Sequence, residues 1–162
     1  MPVENYNVAE IFEIAEQIER NGAKFYRETA GKFADSEARD FLLAIAAEED
    51  EHEKTFVRLK EAFAQKTMTV ETADETVLLY LRAFAGKYIF RNENAPDFQN
   101  KQNATFSGAL DYAINSEKDS IIFYLGLKDF ASNKEDKNVI QKLIDEEKKH
   151  LEKLLTWTEK IL

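Results

Sequence analysis

The sequence contains no cysteine in 162 residues, and it has only five glycines and two prolines. Without cysteine the chain cannot form disulfides, Cys-ligated zinc sites, iron–sulfur clusters or a thiol nucleophile. So few glycines and prolines argue against a turn-rich β-sandwich and favour long, uninterrupted helices. No apolar run approaches the length of a membrane span, and the first residues lack the pattern of a secretory signal. We therefore expect a cytoplasmic protein.

Basic residues are outnumbered, because 22 lysines and arginines face 31 aspartates and glutamates, which gives a net charge of −9. Nucleic acids and anionic membranes attract clusters of lysine and arginine, so neither is an expected partner. Hydrophobic residues make up 44% of the chain and charged residues 33%, which is typical of a folded globular protein. The length predicts a single domain that spans residues 1–162.

Four long segments have the apolar periodicity of helices. They run from about Val8 to Phe33, from Glu37 to Ala64, from Phe106 to Phe130 and from Glu135 to the C-terminus. Two of the helix starts have the spacing of a capping box, namely Asn7 with Glu10 and Ser132 with Glu135. Short turns join the first helix to the second and the third to the fourth, which predicts two antiparallel hairpins.

The two predicted hairpins cover residues 7–64 and 106–162, and residues 65–105 connect them. A connection of that length is too long for a plain loop, and its stretch 73–85 is predicted to form a short helix. Such a crossover can run the length of a bundle and leave the second and third helices parallel. The expected fold is all-α: a four-helix bundle of two antiparallel hairpins joined by a long crossover with a short extra helix.

One glutamate interrupts the apolar stripe of each long helix. In the second helix, the residues at alternating spacings of three and four are Leu42, Ile45, Glu49, His52, Phe56, Leu59 and Phe63. The same spacing on the other helices includes Glu19, Glu117, and Glu147 with His150. Because a stripe at this spacing faces the interior of a bundle, the four glutamates and two histidines are predicted to converge inside it.

An internal repeat with an offset of 98 residues supports this register. Ala15, Glu19, Phe25, Tyr26, Glu48, Glu49 and His52 recur as Ala113, Glu117, Phe123, Tyr124, Glu146, Glu147 and His150. The chain is therefore predicted to contain two copies of one helical hairpin, related by a pseudo-twofold axis.

The pairs Glu49 with His52 and Glu147 with His150 each place a carboxylate and an imidazole on one helix face, one turn apart. Two such pairs, with one glutamate from each remaining helix, supply the ligands of a carboxylate-bridged dinuclear metal site. Imidazole disfavours Mg²⁺ and Ca²⁺ and suits Fe²⁺ or Mn²⁺, with Zn²⁺ or Co²⁺ as substitutes. The alternative is a buried polar cluster that fixes the helix register without metal.

The motif residues resemble a known family. The pattern Ala15-x-x-x-Glu19-x5-Phe25-Tyr26 with Glu49-x-x-His52, and its repeat from Ala113 to His150, is similar to the di-iron domain of rubrerythrins and related ferritin-like proteins. The resemblance covers both hairpins and implies a ferritin-like bundle that reduces hydrogen peroxide or dioxygen at two iron ions. It implies bridging roles for Glu49 and Glu147, terminal carboxylates at Glu19 and Glu117, and nitrogen ligands at His52 and His150.

Two departures from that family stand out. Rubrerythrins usually carry a second glutamate one turn after the third-helix ligand, where this chain has Ser120, and the repeat places Gly22 opposite it. These small residues either allow close packing or leave space for peroxide or dioxygen. Rubrerythrins also usually carry a four-cysteine rubredoxin module, and this chain has no cysteine, so electrons are expected from a separate donor.

Several neighbours of the predicted ligands have two interpretations. Tyr26 and Tyr124 lie two turns beyond the glutamates and are either core aromatics with a hydrogen-bonded hydroxyl or residues that shield the metal or donate an electron. Glu48 and Glu146 are either partners of histidine N–H groups or ordinary charged flanking residues.

The leading functional hypothesis is a non-haem di-iron oxidoreductase that removes peroxide or dioxygen in oxidative stress. Iron binding or ferroxidase-type iron handling is the second hypothesis, and a non-catalytic bundle that binds no metal is the third. Exposed bundle faces and the family resemblance suggest a homodimer.

Overall fold

The computed structural model describes residues 8–33, 36–65, 76, 79–81, 83, 105–131 and 133–161. These residues form four long helices, α1 (Val8–Lys32), α2 (Ser36–Gln65), α3 (Phe106–Phe130) and α4 (Lys134–Ile161). No strand occurs in these ranges. The sequence therefore predicted the long helices to within a residue or so at the ends that the structure describes.

Side-chain caps fix the starts of the last two helices. Thr105 precedes α3, and its hydroxyl accepts a hydrogen bond from the backbone N–H of Gly108 at 3.0 Å. Asn133 precedes α4, and its Oδ1 accepts from the backbone N–H of Asp136 at 2.8 Å. The structure thus places the cap at Asn133, one residue after the Ser132 that the capping-box spacing indicated. Asn7 and Ser132 themselves lie outside the described residues.

Contacts between the helices establish their directions. Along α1, Phe25 meets Tyr112 and Phe33 meets Phe106, with ring centroids 4.9 and 5.2 Å apart, so partner numbers fall along α3 as numbers rise along α1. Helix α1 is therefore antiparallel to α3. It is also antiparallel to α2, because Arg20 pairs with Glu53 and Arg27 pairs with Asp50, so partner numbers fall along α2 as numbers rise along α1. Since α1 opposes both, α2 and α3 run parallel, which confirms the predicted crossover topology.

The four apolar stripes form the core of the bundle. In α2, every predicted stripe residue from Leu42 to Leu59 is buried. At the same alternating spacing, the residues that run from Phe12 through Glu19 to Thr29 in α1 and from Leu110 through Glu117 to Ala131 in α3 are also all buried. Aromatic contacts close one end of the bundle, where Phe41 stacks on Trp157 with ring centroids 5.3 Å apart. The apolar stripe of α4 becomes accessible to solvent at its C-terminal end, where Ile161 is 41% exposed. Burial of these stripes therefore positions the polar residues that lie among them.

Part of the crossover packs on α3. Residues 76, 79–81 and 83 are helical, and the rest of the predicted helix 73–85 lies outside the described residues. Leu81 is completely buried against Gly126, where an added Cβ would stand 2.6 Å from Leu81 Cδ2. The absence of a side chain at Gly126 thus lets the crossover approach the bundle closely. Among the described helices, none has a stretch that is both long and apolar enough to traverse a lipid bilayer.

Candidate metal centre

All six predicted ligands lie buried at one level of the bundle, and none is more than 4% exposed. Each long helix contributes its stripe residues to this level, as the spacing predicted. The cluster contains Glu19 from α1, Glu49 and His52 from α2, Glu117 from α3, and Glu147 and His150 from α4. Burial of so many ionisable groups is costly unless opposite charges compensate them.

The two imidazoles lie side by side at the centre of the cluster. The ring centroids of His52 and His150 are 5.5 Å apart, and the ring planes are inclined by 24°. In both residues Nδ1 faces the carboxylates of the cluster, whereas Nε2 faces outward. The chain therefore presents one nitrogen of each ring to the space between the glutamates.

Glu49 and Glu147 each offer one oxygen to each histidine. Glu147 Oε1 lies 2.7 Å from His52 Nδ1, and Glu147 Oε2 lies 3.1 Å from His150 Nδ1. Glu49 Oε2 lies 3.4 Å from His52 Nδ1, and its Oε1 lies 3.4 Å from His150 Nδ1. These two carboxylates thus span two neighbouring positions, each of which has its own imidazole nitrogen.

Glu19 and Glu117 serve one position each. Glu19 Oε2 lies 3.4 Å from His52 Nδ1, and Glu117 Oε1 lies 4.0 Å from His150 Nδ1. The hydroxyl of Tyr26 donates a hydrogen bond to Glu117 Oε1, and that of Tyr124 donates to Glu19 Oε1. Both tyrosines are completely buried, so the predicted hydrogen-bonded core aromatics are present, and each one restrains a carboxylate of the other hairpin.

The outward nitrogens of the histidines meet a second pair of carboxylates. Glu146 Oε2 lies 3.1 Å from His52 Nε2, and Glu48 Oε2 lies 2.7 Å from His150 Nε2. Of the two interpretations that the sequence left open for these glutamates, the structure favours partners of the histidine N–H groups. A carboxylate at Nε2 holds the proton there and leaves Nδ1 available to a metal ion.

The electrostatics of the metal-free cluster favour proton uptake. Burial, followed by the charges of Glu49 and Glu147, raises the pKa of Glu19 and of Glu117 well above the ordinary value. Burial acts against protonation of the histidines, but hydrogen bonds with the carboxylates outweigh it and raise the pKa of His150 to about 12.

His52 and the two spanning carboxylates complete this distribution of charge. Burial lowers the pKa of His52, but the nearby carboxylates of Glu147, Glu19 and Glu49 outweigh burial and raise it above its ordinary value. Burial alone would raise the pKa of Glu49 and Glu147, yet contacts with the protonated neighbours lower the pKa of both. The two ionised carboxylates repel each other, and the neighbouring histidines compensate for that repulsion.

The protons of the metal-free cluster have the charge of two divalent cations. The raised pKa values favour protons on Glu19, Glu117 and both imidazoles, and a cluster with all four of these protons would carry four more positive charges than four carboxylates with two neutral imidazoles. Those four positive charges equal the charge of two divalent ions. A pair of such ions can therefore replace the protons and leave the buried core neutral.

Buried polar atoms without a hydrogen-bond partner also favour bound cations. His52 Nδ1, Glu49 Oε1, Glu147 Oε1 and Glu117 Oε2 are buried and make no well-directed hydrogen bond, although opposite charges lie near them. One atom from each of Glu49, His52, Glu147 and His150 can be chosen so that all four lie within 4.8 Å of one another. Atoms that converge without bonding to each other suit a metal ion between them, so the donor set fits metal binding.

Comparison with known proteins agrees with this donor set. A family model described as Rubrerythrin matches residues 10–158. The chain belongs to the rubrerythrin family. Among solved structures, a ferritin-like diiron-carboxylate protein of Thermotoga maritima is 27% identical, covers 97% of each chain and has a TM-score of 0.71. A hypothetical protein of Pyrococcus furiosus shares the fold at 18% identity, with a TM-score of 0.66 and coverage of 98% of this chain and 92% of that chain.

No curated protein sequence matches this chain. Rubrerythrins bind a di-iron centre, and the cluster described above supplies glutamate and histidine ligands of the kind that such a centre needs. The family membership confirms the resemblance inferred from the sequence motifs, and the neighbours confirm the ferritin-like bundle.

This rubrerythrin lacks an extra carboxylate at position 120. Ser120 is buried on the stripe of α3, and its Oγ donates a hydrogen bond to the backbone oxygen of Ser116 at 3.0 Å. Its hydroxyl is thereby engaged with its own helix. Gly22, its counterpart in the repeat, is also buried.

Sequence reasoning missed one residue at the edge of the site. Lys153 Nζ lies 3.1 Å from Glu48 Oε1 and so contacts the carboxylate that holds His150. The repeat gave no signal for this lysine, because the residue 98 positions earlier is Thr55. By contrast, Glu48 and Glu146 were detectable because both copies of the repeat contain them.

Proposed function

We propose that this rubrerythrin reduces hydrogen peroxide at a di-iron site held by Glu19, Glu49, His52, Glu117, Glu147 and His150. The observation that carries the proposal is that Glu49 and Glu147 each present one oxygen to each histidine Nδ1. Two ferrous ions bound there would supply the two electrons that convert hydrogen peroxide and two protons into two molecules of water.

The chain supplies a buried pocket that two divalent ions would make neutral. Glu49 and Glu147 would bridge the two ions, His52 and His150 would supply the nitrogen ligands, and Glu19 and Glu117 would complete the two positions. Ile45 and Ile144 are fully buried about one helical turn before Glu49 and Glu147, so apolar side chains surround the pocket and disfavour water in it. A dry surrounding strengthens each charge interaction and protects the site from side reactions.

The tyrosines keep the terminal carboxylates in place and hold protons near them. Burial and, second, the charge of Glu117 raise the pKa of Tyr26 well above its ordinary value. Burial and the charge of Glu19 raise the pKa of Tyr124 in the same way. Both phenols therefore stay protonated at neutral pH and remain hydrogen-bond donors. Peroxide reduction consumes two protons, and these hydroxyls provide proton-bearing groups at the carboxylates of both positions.

The electrons for repeated turnover come from another molecule, a separate reductant or electron-donor protein. The sequence has no cysteine with which to build a rubredoxin-type iron site. Manganese or zinc can take the place of iron in such a ligand set, but zinc has no redox chemistry and would leave the protein inactive.

The first experiment tests the ligand set through metal stoichiometry. Glu49→Ala removes one bridging carboxylate and is expected to abolish stoichiometric metal binding, measured by metal analysis of protein loaded with iron under anaerobic conditions. Glu51→Ala is the matched control, because Glu51 lies on the same helix, is 65% exposed in its side chain and contacts Lys54. Two metals per chain in Glu49→Ala would contradict the bridging role.

The second experiment separates peroxide reduction from iron handling. Stopped-flow oxidation of the diferrous protein is expected to be much faster with hydrogen peroxide than with dioxygen. Rapid oxygen-driven loading followed by release of ferric product would instead identify a ferroxidase. A wild-type chain with far fewer than two metals would favour the non-catalytic bundle.

A further inference from the structure

The two proposed metal positions have nearly equivalent surroundings. Under the 98-residue repeat, Glu48 beside His150 corresponds to Glu146 beside His52, and the N···O distances are 2.7 and 3.1 Å. Each outer carboxylate accepts the Nε2–H of its histidine. A carboxylate in this place increases the electron density that the opposite ring nitrogen can donate to a cation, and loss of such a partner typically costs about 10–100-fold in metal affinity.

A lysine breaks the equivalence on one side. Lys153 Nζ lies 3.1 and 3.5 Å from the two oxygens of Glu48. At the corresponding place in the first hairpin, Thr55 carries no charge, and its hydroxyl donates to the backbone oxygen of Glu51 and accepts from Arg58 Nη2, both at 2.9 Å. The guanidinium of Arg58 is thus held at Thr55, and among the described residues no ion pair joins it to Glu146.

The other outer carboxylate has a weaker cationic neighbour. Lys142 Nζ lies 3.9 Å from Glu146 Oε1, and its side chain is 79% exposed, whereas the side chain of Lys153 is 43% exposed. Water screens a highly exposed pair at that distance, so Lys142 compensates Glu146 less than Lys153 compensates Glu48.

The ion pair of Lys153 with Glu48 changes the affinity for a cation beside His150 in a definite direction. Glu48 divides its negative charge between the Nε2–H of His150 and the ammonium of Lys153, so less of it reaches the imidazole. The ammonium also adds a positive charge on the side of the site that contains His150. Both effects disfavour a divalent cation at that position.

If Lys153 also oriented Glu48, that effect would oppose the effect of its charge, but the contacts of Glu48 show that the orienting effect is small. His150 is completely buried, and its 2.7 Å contact holds Glu48 independently of the lysine. The pair of Lys153 with Glu48 is itself half exposed, and such pairs contribute little to side-chain order.

We infer that Lys153 makes the two metal positions unequal, so that the position of His150 binds a divalent cation more weakly than the position of His52. The inference rests on the proposed dinuclear site. Lys153 acts indirectly, through the charge of Glu48, and it contacts neither the proposed metal ions nor a substrate. The position of His52 would fill first and the position of His150 second.

Stepwise titration with Co²⁺ tests this inference without any measurement of activity. The metal-free protein is titrated while d–d absorption and the paramagnetically shifted histidine N–H resonances are recorded. The wild-type chain is expected to bind in two unequal steps, with the resonance of His52 first. Lys153→Thr copies the residue of the other hairpin and is expected to strengthen the second step about fivefold, so that the two steps converge.

Two further variants complete the test. Thr55→Lys places the charge beside the other half of the site and is expected to weaken the first step. Lys148→Thr is the control, because it removes a lysine from the same helix that pairs with Asp145 at 3.4 Å, and it should leave the ratio of the two steps unchanged. An unchanged ratio in Lys153→Thr overturns the inference. A wild-type chain without stoichiometric Co²⁺ binding overturns the proposed metal site instead.

Discussion

Tyr26 donates a hydrogen bond to Glu117 across the interface between the two hairpins. The pseudo-twofold partner of this contact joins Tyr124 to Glu19. Each hairpin therefore orients a carboxylate of the other hairpin that belongs to the proposed ligand set. Because both contacts join the two hairpins, the geometry of the site depends on how the hairpins pack together and not on either hairpin alone.

Tyr26→Phe tests whether these hydrogen bonds between the hairpins stabilise the protein. The substitution removes the donor and leaves a buried carboxyl oxygen of Glu117 without its partner, in a residue whose Oε2 already lacks one. The free energy of unfolding of the metal-free protein is expected to fall by about 1–3 kcal/mol, the cost of an unsatisfied buried polar group. Urea denaturation with a chelator present measures the change.

Two companion variants calibrate that result. Tyr124→Phe should cost about as much, since its contact is the twofold mate. Thr29→Val removes another buried hydroxyl from α1, but that hydroxyl bonds the backbone oxygen of Phe25 in its own helix at 2.8 Å. Its effect should be small, because the carbonyl keeps its helical partner. Equal stability of wild type and Tyr26→Phe would contradict a structural role for the hydrogen bonds between the hairpins.

The close approach of Leu81 to Gly126 gives a second prediction. Gly126→Ala gains about 1 kcal/mol in helix propensity. The new methyl group would stand 2.6 Å from Leu81 Cδ2, and Leu81 is completely buried and so has little room to move. Overpacking of this kind costs about 1–3 kcal/mol, so we expect a net loss of stability in thermal or urea unfolding.

A second glycine provides the matched control for that substitution. Gly31 also lies in a helix, and an added Cβ there would meet nothing within 4 Å. Gly31→Ala should therefore stabilise the protein by up to about 1 kcal/mol. In the double variant Gly126→Ala with Leu81→Ala, the cost should be smaller than the sum of the two single costs, because the shortened side chain makes room for the methyl group. Strict additivity would show that the two residues do not restrain each other.

Much of the fold and of the candidate site follows from spacing alone. The alternation of three and four residues placed Glu49 and His52 among buried apolar neighbours, and both are buried. Helical periodicity is rigid over this length, so a register read from Leu42 and Phe56 also fixes the residues between them. The same rigidity explains why the repeat predicted the level at which the four helices meet.

Other features depend on distances between helices, which spacing does not contain. The pairing of Tyr26 with Glu117 follows from the rotation of α1 relative to α3, and that rotation is set by how their side chains interlock. The contact of Lys153 with Glu48 lies on a solvent-facing edge, where a long flexible side chain can take many partners. The helix start at Asn133 was misplaced by one residue because Ser132 and Asn133 are both good caps.

The shifted pKa values predict how the stability of the metal-free protein depends on pH. Glu19 and Glu117 have folded-state pKa values raised above 4.5, so the stability they contribute is present below about pH 4.5 and is lost as the pH rises. His52 and His150 have values raised above 6.5, and their contribution is lost as the pH rises toward the raised values. The free energy of unfolding should therefore fall between pH 5.5 and 8, as measured by urea denaturation with a chelator.

The control for that trend replaces the terminal carboxyl groups by amides. The double variant Glu19→Gln with Glu117→Gln cannot lose those two protons, so its stability should fall less steeply between pH 5.5 and 8. Glu49 and Glu147 do not complicate the comparison, because their pKa values are lowered and both stay ionised throughout that interval. The same slope in wild type and double variant would refute the assignment of protonated Glu19 and Glu117.

Metal binding should release those same protons. Two protons from Glu19 and Glu117 and two from His52 and His150 make up to four protons per pair of divalent ions. Because protons compete with the cations, the apparent metal affinity should rise as the pH increases from 6 to 8. Calorimetric titration with Co²⁺ in buffers of different ionisation enthalpy measures the number released. Binding with no proton release would mean that the cations do not replace protons in the buried core, and the proposed ligand set would then be wrong.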